Sequence, residues 1–345
     1  MYLTRRGLVR PASRATRPER ADLWHYAWMP YVLTAAGFIA LFAGGEFLVR
    51  GAVTVSRRMG ISPLLVGLTV VAFCTSAPEL LVSLQSAIAG SPGIAVGNVV
   101  GSNIANIALI LGLAALVKPF AFDVPDIRND ALVALGTSAF LVPLGWFGII
   151  PRWVGALMVA ALAIYIVQSY RREVGAGAES SDWHAEEAEV FTSGAPWSVA
   201  IAQLAGGLFA LVLGADWLIT GAQEIALTFG VPEDVVGLTV VALGTSLPEL
   251  ATSVMAARRG HADVAIGNVL GSNTFNVLSI LGITIIVAPL SIPEGISSFD
   301  VPVMLAFSTV AIGGLLLRGK IGRLFGGLLL AGYLGYVAYL YAPVG

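Results

Sequence analysis

Two glutamates stand where a chain apolar enough for lipid would be expected to exclude them. The stretch "VVAFCTSAPELLVS" (residues 70–83) carries Glu79, and "VVALGTSLPELATS" (residues 240–253) carries Glu249. Placing a carboxylate near the bilayer centre costs on the order of a few kcal/mol, so such residues usually mark an ion pathway. Thr75 lies four residues before Glu79 and Ser76 three before it, spacings that share one helical face; Thr245, Ser246 and Glu249 repeat the arrangement. Pro78 and Pro248 lack an N–H, which is expected to free carbonyls about a turn earlier, around Ala72 to Cys74 and Ala242 to Gly244. Freed carbonyls at membrane depth are tolerated where they line a cavity. Ser83 and Ser253 continue each polar stripe, with two readings open: part of the pathway, or a hydroxyl bonded back to the carbonyl four residues earlier.

A second pair of stretches, "GNVVGSNIAN" (97–106) and "GNVLGSNTFN" (267–276), adds Ser102 with Asn106 and Ser272 with Asn276, each pair four apart on one face. Gly93, Gly97 and Gly101 form a small-residue ridge suited to close helix packing. Asn98, Asn103, Asn268 and Asn273 are read as interhelical hydrogen-bonding residues before ligands. The inventory is all oxygen: carboxylates, hydroxyls, amide oxygens and bare carbonyls. Such a set suits hard cations, above all Ca²⁺ with its 6–8 oxygen ligands, and disfavours zinc and copper; Mg²⁺ parts with its water reluctantly. Two ionised glutamates neutralise one Ca²⁺ or draw in several Na⁺, the logic of exchange by competition. His25, His184 and His261 fall in the tail or loops, and the single cysteine, Cys74, excludes an intrachain disulfide and a cysteine-based zinc site. Glu46 has Arg50 one turn away, read as a structural ion pair, with Asp216 at the matching position of the second copy.

The elements that must hold these residues are transmembrane helices. Of 345 residues, 57% are hydrophobic and 12% charged, against about 25% charged in a soluble domain, and the mean hydropathy is +0.85. The chain is therefore an all-α polytopic membrane protein with the lipid bilayer as its partner; no basic patch with interleaved aromatics supports nucleic-acid binding. At about 20 residues per span, ten helices are expected near 30–55, 62–89, 94–117, 128–149, 152–170, 197–228, 233–257, 263–289, 299–317 and 322–341, some tilted or broken. Residues 67–112 align with 237–282 at a constant offset of 170 without a gap, identical at 25 of 46 positions. This duplication divides the chain into a first half, 29–172, and a second, 197–345, of five helices each. An odd number of spans makes the second copy enter the membrane from the opposite side, as in the inverted repeats of secondary transporters, whose substrate site lies near the midplane between the halves.

One set of alternate loops holds Arg57, Arg58, Lys118, Arg128, Arg171, Arg172, Arg258, Arg259, Arg318, Lys320 and Arg323; the opposite set holds only Arg152. The positive-inside rule places the first set in the cytoplasm and both termini outside. The tail 1–28, with six arginines, runs against this; it is read as a targeting segment or, preferably, a gene-model artefact ahead of Met29, and is given no weight. The linker 173–196 carries six acidic residues and is read as a cytoplasmic loop.

At these motifs the chain resembles the cation/calcium exchanger superfamily, specifically its prokaryotic sodium/calcium exchanger branch, whose hallmarks are two inverted alpha-repeats with "GTSLPE" and "GSN" signatures. Here they read "CTSAPE" with "GSNIAN" and "GTSLPE" with "GSNTFN". The resemblance implies an antiporter in a prokaryotic cell membrane, not an enzyme, with Ca²⁺ and Na⁺ as transported ions and no cofactor. It makes Glu79 and Glu249 central ligands for both ions, with calcium contacts from the Thr75 and Thr245 carbonyls. Ala72, Ser76, Ser102, Ala242, Ser246 and Ser272 would help form sodium sites, and Asn106 and Asn276 would line the middle. It also implies three Na⁺ for one Ca²⁺, and a first and sixth helix sliding over a stationary core. Potassium-dependent relatives have an aspartate where Asn276 stands, which argues against potassium coupling. The runner-up is a proton/calcium exchanger. An intramembrane aspartyl protease would need paired aspartates and a "GxGD" that the core motifs lack, and a mere scaffold would not need duplicated buried glutamates. One chain already holds both halves, so a monomer suffices.

Overall fold

The computed structural model describes residues 28–59, 61–175, 196–229 and 242–340. Nearly all of the tail 1–28, residues 176–195 of the linker, and the first part of the helix expected over 233–257 lie outside the described residues. In chain order the helices are α1 (Met29–Met59), α2 (Pro63–Thr75), α3 (Ala77–Ile88), α4 (Pro92–Val117), α5 (Val124–Leu144), α6 (Arg152–Gly175), α7 (Trp197–Thr228), the short α8 (Ala242–Gly244), α9 (Leu247–Arg259), α10 (Ala262–Val287), α11 (Ile296–Arg318) and α12 (Arg323–Leu340). The only sheet among the described residues is a two-residue antiparallel pair, β1 (Phe120–Ala121) with β2 (Lys320–Ile321).

Seven of these helices are long and apolar enough to cross a membrane, and eight when α2 and α3, bent by 45°, are taken as one broken span. The two other expected spans overlap α5 and, in the described part, α8 with α9, neither of which is among those eight. The fold is an all-α polytopic membrane protein. Helix α5 runs over 124–144 instead of the expected 128–149: Pro125 is accepted in its first turn, where an N–H is dispensable, and the chain turns off at Gly145. The stretch expected as one helix over 62–89 breaks at Ser76 (φ −83°, ψ 5°), two residues before Pro78.

Helices α4 and α10 occupy the centre, with 78% and 89% of their apolar windows buried, while α1 and α7 lie at the periphery at 33% and 28%. Large apolar residues of the outer pair, such as Phe38, Ile39 and Phe209, stay exposed, as expected of a surface that faces lipid tails. The two outer helices pack on each other through glycines spaced by seven. A Cβ on Gly37 would stand 2.6 Å from Leu218 N, and one on Gly207 2.6 Å from Leu48 N. One on Gly44 would stand 2.8 Å from Leu211 N, and one on Gly214 2.8 Å from Leu41 N. Gly51 meets Leu204 N at 2.9 Å and Gly221 meets Thr34 N at 2.8 Å. Position numbers fall along one helix as they rise along the other, so the pair is antiparallel, and every contact has a counterpart 170 residues away. Where dispersion and not water drives helix association, backbone-to-backbone approach of this kind is what small residues make possible.

The loops that carry the basic residues touch one another. Lys118 Nζ lies 3.1 Å from where a Gly260 Cβ would be, β1 pairs with β2, and Arg323 Nε donates to Leu116 O at 3.2 Å. Arg152 belongs to the other end, beside Val287 O at 3.5 Å, where Ile150 N also donates to Leu290 O at 2.8 Å. Helix α9 ends at Gly260, whose φ of 90° lies in the left-handed region that favours glycine. This stop leaves Arg259 in the last turn, from which Nε donates to Glu46 Oε2 on α1 at 2.8 Å and a second guanidinium nitrogen meets Oε1. The expected Glu46–Arg50 pair is present at 2.5 Å, so Glu46 bridges one residue of its own helix and one of α9.

The glycine interface makes a stability prediction. Gly207→Ala places a methyl group against Leu48 and Gly44 backbone and should cost about 1–3 kcal/mol, read as a lowered midpoint of thermal unfolding in detergent. Gly206→Ala, whose Cβ meets nothing within 4 Å among the described residues, should leave the midpoint unchanged.

Candidate functional site

The break at Ser76 and its counterpart at Ser246 (φ −89°, ψ 6°) put each glutamate in the first turn of a new helix, Glu79 in α3 and Glu249 in α9. There the unpaired N–H groups and the helix dipole favour negative charge. The expectation of a freed carbonyl at Ala72 is corrected: Ala72 O accepts the Ser76 N–H at 3.0 Å. The kink lets the chain close this bond before the proline interrupts the pattern. In the second copy Ser246 N donates to Leu243 O at 3.2 Å. Ala242 opens α8, and its side chain lies outside the described residues.

Each glutamate is tied to the other half of the chain. Ser76 Oγ donates to Glu249 Oε1 at 3.2 Å, and Ser246 Oγ donates to Glu79 Oε1 at 3.3 Å. Both carboxylates are sealed from solvent, at 1% and 2% exposure. Ser102 Oγ stands 3.4 Å from Ser246 Oγ. The Thr75 hydroxyl lies between Val71 O at 3.1 Å and Asn268 Oδ1 at 3.3 Å. The Thr245 hydroxyl faces Glu79 without closing a hydrogen bond of ordinary geometry.

The asparagines hold this arrangement. Asn98 Nδ2 donates to Glu79 O at 3.0 Å and Ser83 Oγ at 2.9 Å; Asn268 Nδ2 does the same to Glu249 O at 3.3 Å and Ser253 Oγ at 2.9 Å. Ser83 Oγ donates onward to Ala95 O at 3.2 Å, so the alternative of bonding back to Glu79 O is not the one adopted. Across the halves, Asn103 Nδ2 and Asn273 Nδ2 each donate to the other's backbone carbonyl at 3.3 Å. Their side-chain oxygens accept from Asn276 and Asn106, both at 3.0 Å. Interhelical bonding is thus the role of Asn98, Asn103, Asn268 and Asn273. Immediately beyond, π-helical turns interrupt α4 at Ala105–Ile110 and α10 at Asn276–Leu281, a local widening frequent at functional sites.

After these bonds are counted, several buried oxygens have no protein partner: Glu79 Oε2, Glu249 Oε2, Asn106 Oδ1, Asn276 Oδ1, Ser272 Oγ and Thr245 Oγ1. All six belong to residues singled out from the sequence. Buried polar atoms are otherwise almost always paired, and the two carboxylate and two amide oxygens here are pure acceptors, suited to a hard cation. Thr252 Oγ1, Ser169 Oγ and Gln203 Oε1 are likewise without partners.

The family comparison agrees with this donor set. The family described as sodium/calcium exchanger protein matches residues 29–171 and again 199–342. The chain belongs to the sodium/calcium exchanger family. Among its relatives is the sodium/calcium exchanger MaX1 of Methanosarcina acetivorans, 30% identical over 345 residues, covering 90% of this chain and 98% of that one. Another is the inner membrane protein YrbG of Escherichia coli, 34% identical over 312 residues, covering 90% and 96%. A solved structure of the sodium-calcium exchanger NCX_Mj, soaked with zero Na⁺ and Ca²⁺, superposes with a TM-score of 0.79 at 29% identity, covering 91% of this chain and 99% of that one. The family is one of membrane transporters, and its members move cations including Ca²⁺ as substrates without a cofactor.

Two features escaped the sequence reading. Arg259, one of the basic loop residues that point to topology, also grips Glu46. Asp130 and Asp300, each bonded to a tyrosine, lie beyond the aligned 67–112 stretch; their 170-residue separation was the available signal.

The asparagine lattice is testable by a double-mutant cycle. Asn103→Ala and Asn273→Ala each leave buried groups of the other unpaired, and such orphans cost about 1–3 kcal/mol. The two should be non-additive by at least about 0.5 kcal/mol, measured by thermal unfolding in detergent.

Proposed function

We propose that this protein is a secondary antiporter that exchanges Na⁺ for Ca²⁺ across a prokaryotic cell membrane by alternating access, moving three Na⁺ for one Ca²⁺ and hence one net charge per cycle. The observation that carries this reading is the reciprocal closure at the centre: each half lends a serine to the other half's glutamate, and each glutamate keeps one oxygen free. A cation held there touches both halves at once, so its binding is coupled to how they sit on each other. Two carboxylates balance the charge of Ca²⁺, and the surrounding hydroxyl and amide oxygens complete sites for Na⁺ that share the same glutamates.

The ligand set under this reading is Glu79 and Glu249 at the centre, Thr75 and Thr245 through their carbonyls, and Ser76, Ser246, Ser102, Ser272, Ala72 and Ala242 around them, with Asn106 and Asn276 lining the middle. Ala72 O, already bonded to Ser76 N, would be a shared acceptor. The halves 29–172 and 197–345 are inverted copies with ten spans in all, the basic loops and the 173–196 linker face the cytoplasm, and a single chain is the transporting unit. The antiparallel α1–α7 pair, held by close contact more than by hydrogen bonds, supports a gate that slides over the core.

The test is ⁴⁵Ca²⁺ uptake into sodium-loaded proteoliposomes with the sodium gradient present or collapsed. Uptake should need the gradient, respond to membrane potential, and fall at least about a hundredfold in Glu79→Gln and Glu249→Gln, the order expected when a charged partner is removed from a buried charge-paired site. Uptake that ignores sodium and follows an imposed pH gradient would make the protein a proton/calcium exchanger.

A further inference from the structure

Among the described residues, two aspartate–tyrosine pairs lie outside the glutamate-centred site. Tyr336 donates to Asp300 Oδ1 at 2.7 Å, and Tyr165 donates to Asp130 Oδ1 at 2.9 Å. The aspartates stand at the repeat offset of 170, in α5 and at the π-helical start of α11. The tyrosines do not: position 335, the counterpart of Tyr165, is glycine, and position 166, the counterpart of Tyr336, is isoleucine. The two halves therefore reach the same pairing from different helix positions.

The surroundings say what the pairs serve. Asp300 and Tyr336 line a cavity of about 330 Å³ whose wall also includes Gly101, Ser102 and Ser246. Ser246 is the hydroxyl that holds Glu79, and Ser102 stands beside it. A carboxylate thus sits on one wall of a cavity that the glutamate-linked hydroxyls share. Asp300 follows the loop that holds Leu290, to which Ile150 bonds, whereas Asp130 follows β1 at the end where the basic loops meet. The two pairs occupy opposite ends of the bundle. Asp130 is buried at 7% exposure, and Arg172 lies near its tyrosine, whereas Asp300 is only partly buried.

We propose that Asp300 is an ion-recruiting carboxylate on the access route that opens through this cavity, aimed by Tyr336. A Na⁺ or Ca²⁺ arriving this way meets Asp300 before it reaches Ser102 and Ser246. Tyr336 takes one carboxylate oxygen and fixes the direction of the group. The proposal rests on the exchange reading above.

The experiment compares ⁴⁵Ca²⁺ transport by right-side-out and inverted membrane vesicles for wild type, Asp300→Asn and Tyr336→Phe, in low and high choline chloride. Asparagine keeps an oxygen that can accept the tyrosine's bond, so the variant removes charge with little change of shape. A divalent ion passing a unit charge at about 10 Å gains roughly threefold to tenfold in local concentration. Asp300→Asn should raise the half-saturating Ca²⁺ by about that factor in one vesicle preparation and not in the other. The gap should narrow as salt shortens the screening length from about 30 Å at 0.01 M to about 10 Å at 0.1 M. Tyr336→Phe should show a smaller shift in the same preparation as Asp300→Asn. An effect equal in both preparations, one indifferent to salt, or no shift in a protein that transports would overturn the recruiting role. Wild-type transport driven by protons instead of sodium would sink the exchange reading alone, since the same comparison applies to that flux; no Ca²⁺ transport by wild type would sink both.

Discussion

Two carboxylates share a region sealed from water, and among the described residues neither has the cationic side-chain partner that usually accompanies a buried charge. Charge in such a place is costly unless hydrogen bonds and dipoles stand in for solvent. The chain supplies these from its backbone. Breaking two helices at Ser76 and Ser246 aims the positive ends of two new helices at Glu79 and Glu249, and the serines at the breaks cross over to the opposite glutamate. What is left over, one oxygen on each carboxylate, is compensated only by something positive from outside. Stability and transport are thus bound to the same atoms.

The rest of the molecule divides around that requirement. In the middle, hydrogen bonds set the register: the Asn103–Asn273 exchange and its flanking bonds to Asn106 and Asn276 fasten α4 to α10, and Asn98 and Asn268 brace the glutamate-bearing helices against them. At the edge, α1 and α7 meet through glycines and backbone, a contact that resists separation but carries few directional bonds. Glu46 is a polar tie from α1 to the inner helix α9, through Arg259. Position 89, the repeat counterpart of Arg259, is alanine, so the tie is absent from the mirrored place and the two ends of the bundle are held differently.

Much of this was legible in the sequence because duplication acts as an internal alignment. Glu79, Ser76, Asn106 and their mates stood out as polar residues repeated at one offset in an apolar background; across the halves Ser76 meets Glu249, Ser246 meets Glu79, and Asn106 and Asn276 meet Asn273 and Asn103. The helical breaks were foreshadowed by Pro78 and Pro248. Other features were hidden for physical reasons. Which carbonyl a kink leaves unbonded depends on torsions at Ser76, and no residue type announces that Ala72 O recaptures a partner. Arg259 and Glu46 are far apart in sequence and unmatched in the repeat. The aspartate–tyrosine pairs are conserved between the halves as geometry only, since the tyrosine shifts by one residue, and an alignment of identities passes over them. Helix α5 starts earlier than the apolar run suggests because its first turn tolerates the charged and proline residues that end such a run.

The seven-residue glycine spacing on α1 and α7 has a consequence for descent. Each helix is its twin's docking surface under a two-fold operation, the arrangement of a self-complementary dimer interface made permanent by a shared peptide chain. A side chain gained at Gly44 lands on Leu211 and Gly207, so the space for it must come from the other half of the gene. The two copies are free to diverge at their lipid-facing residues, but along this seam they are obliged to change together.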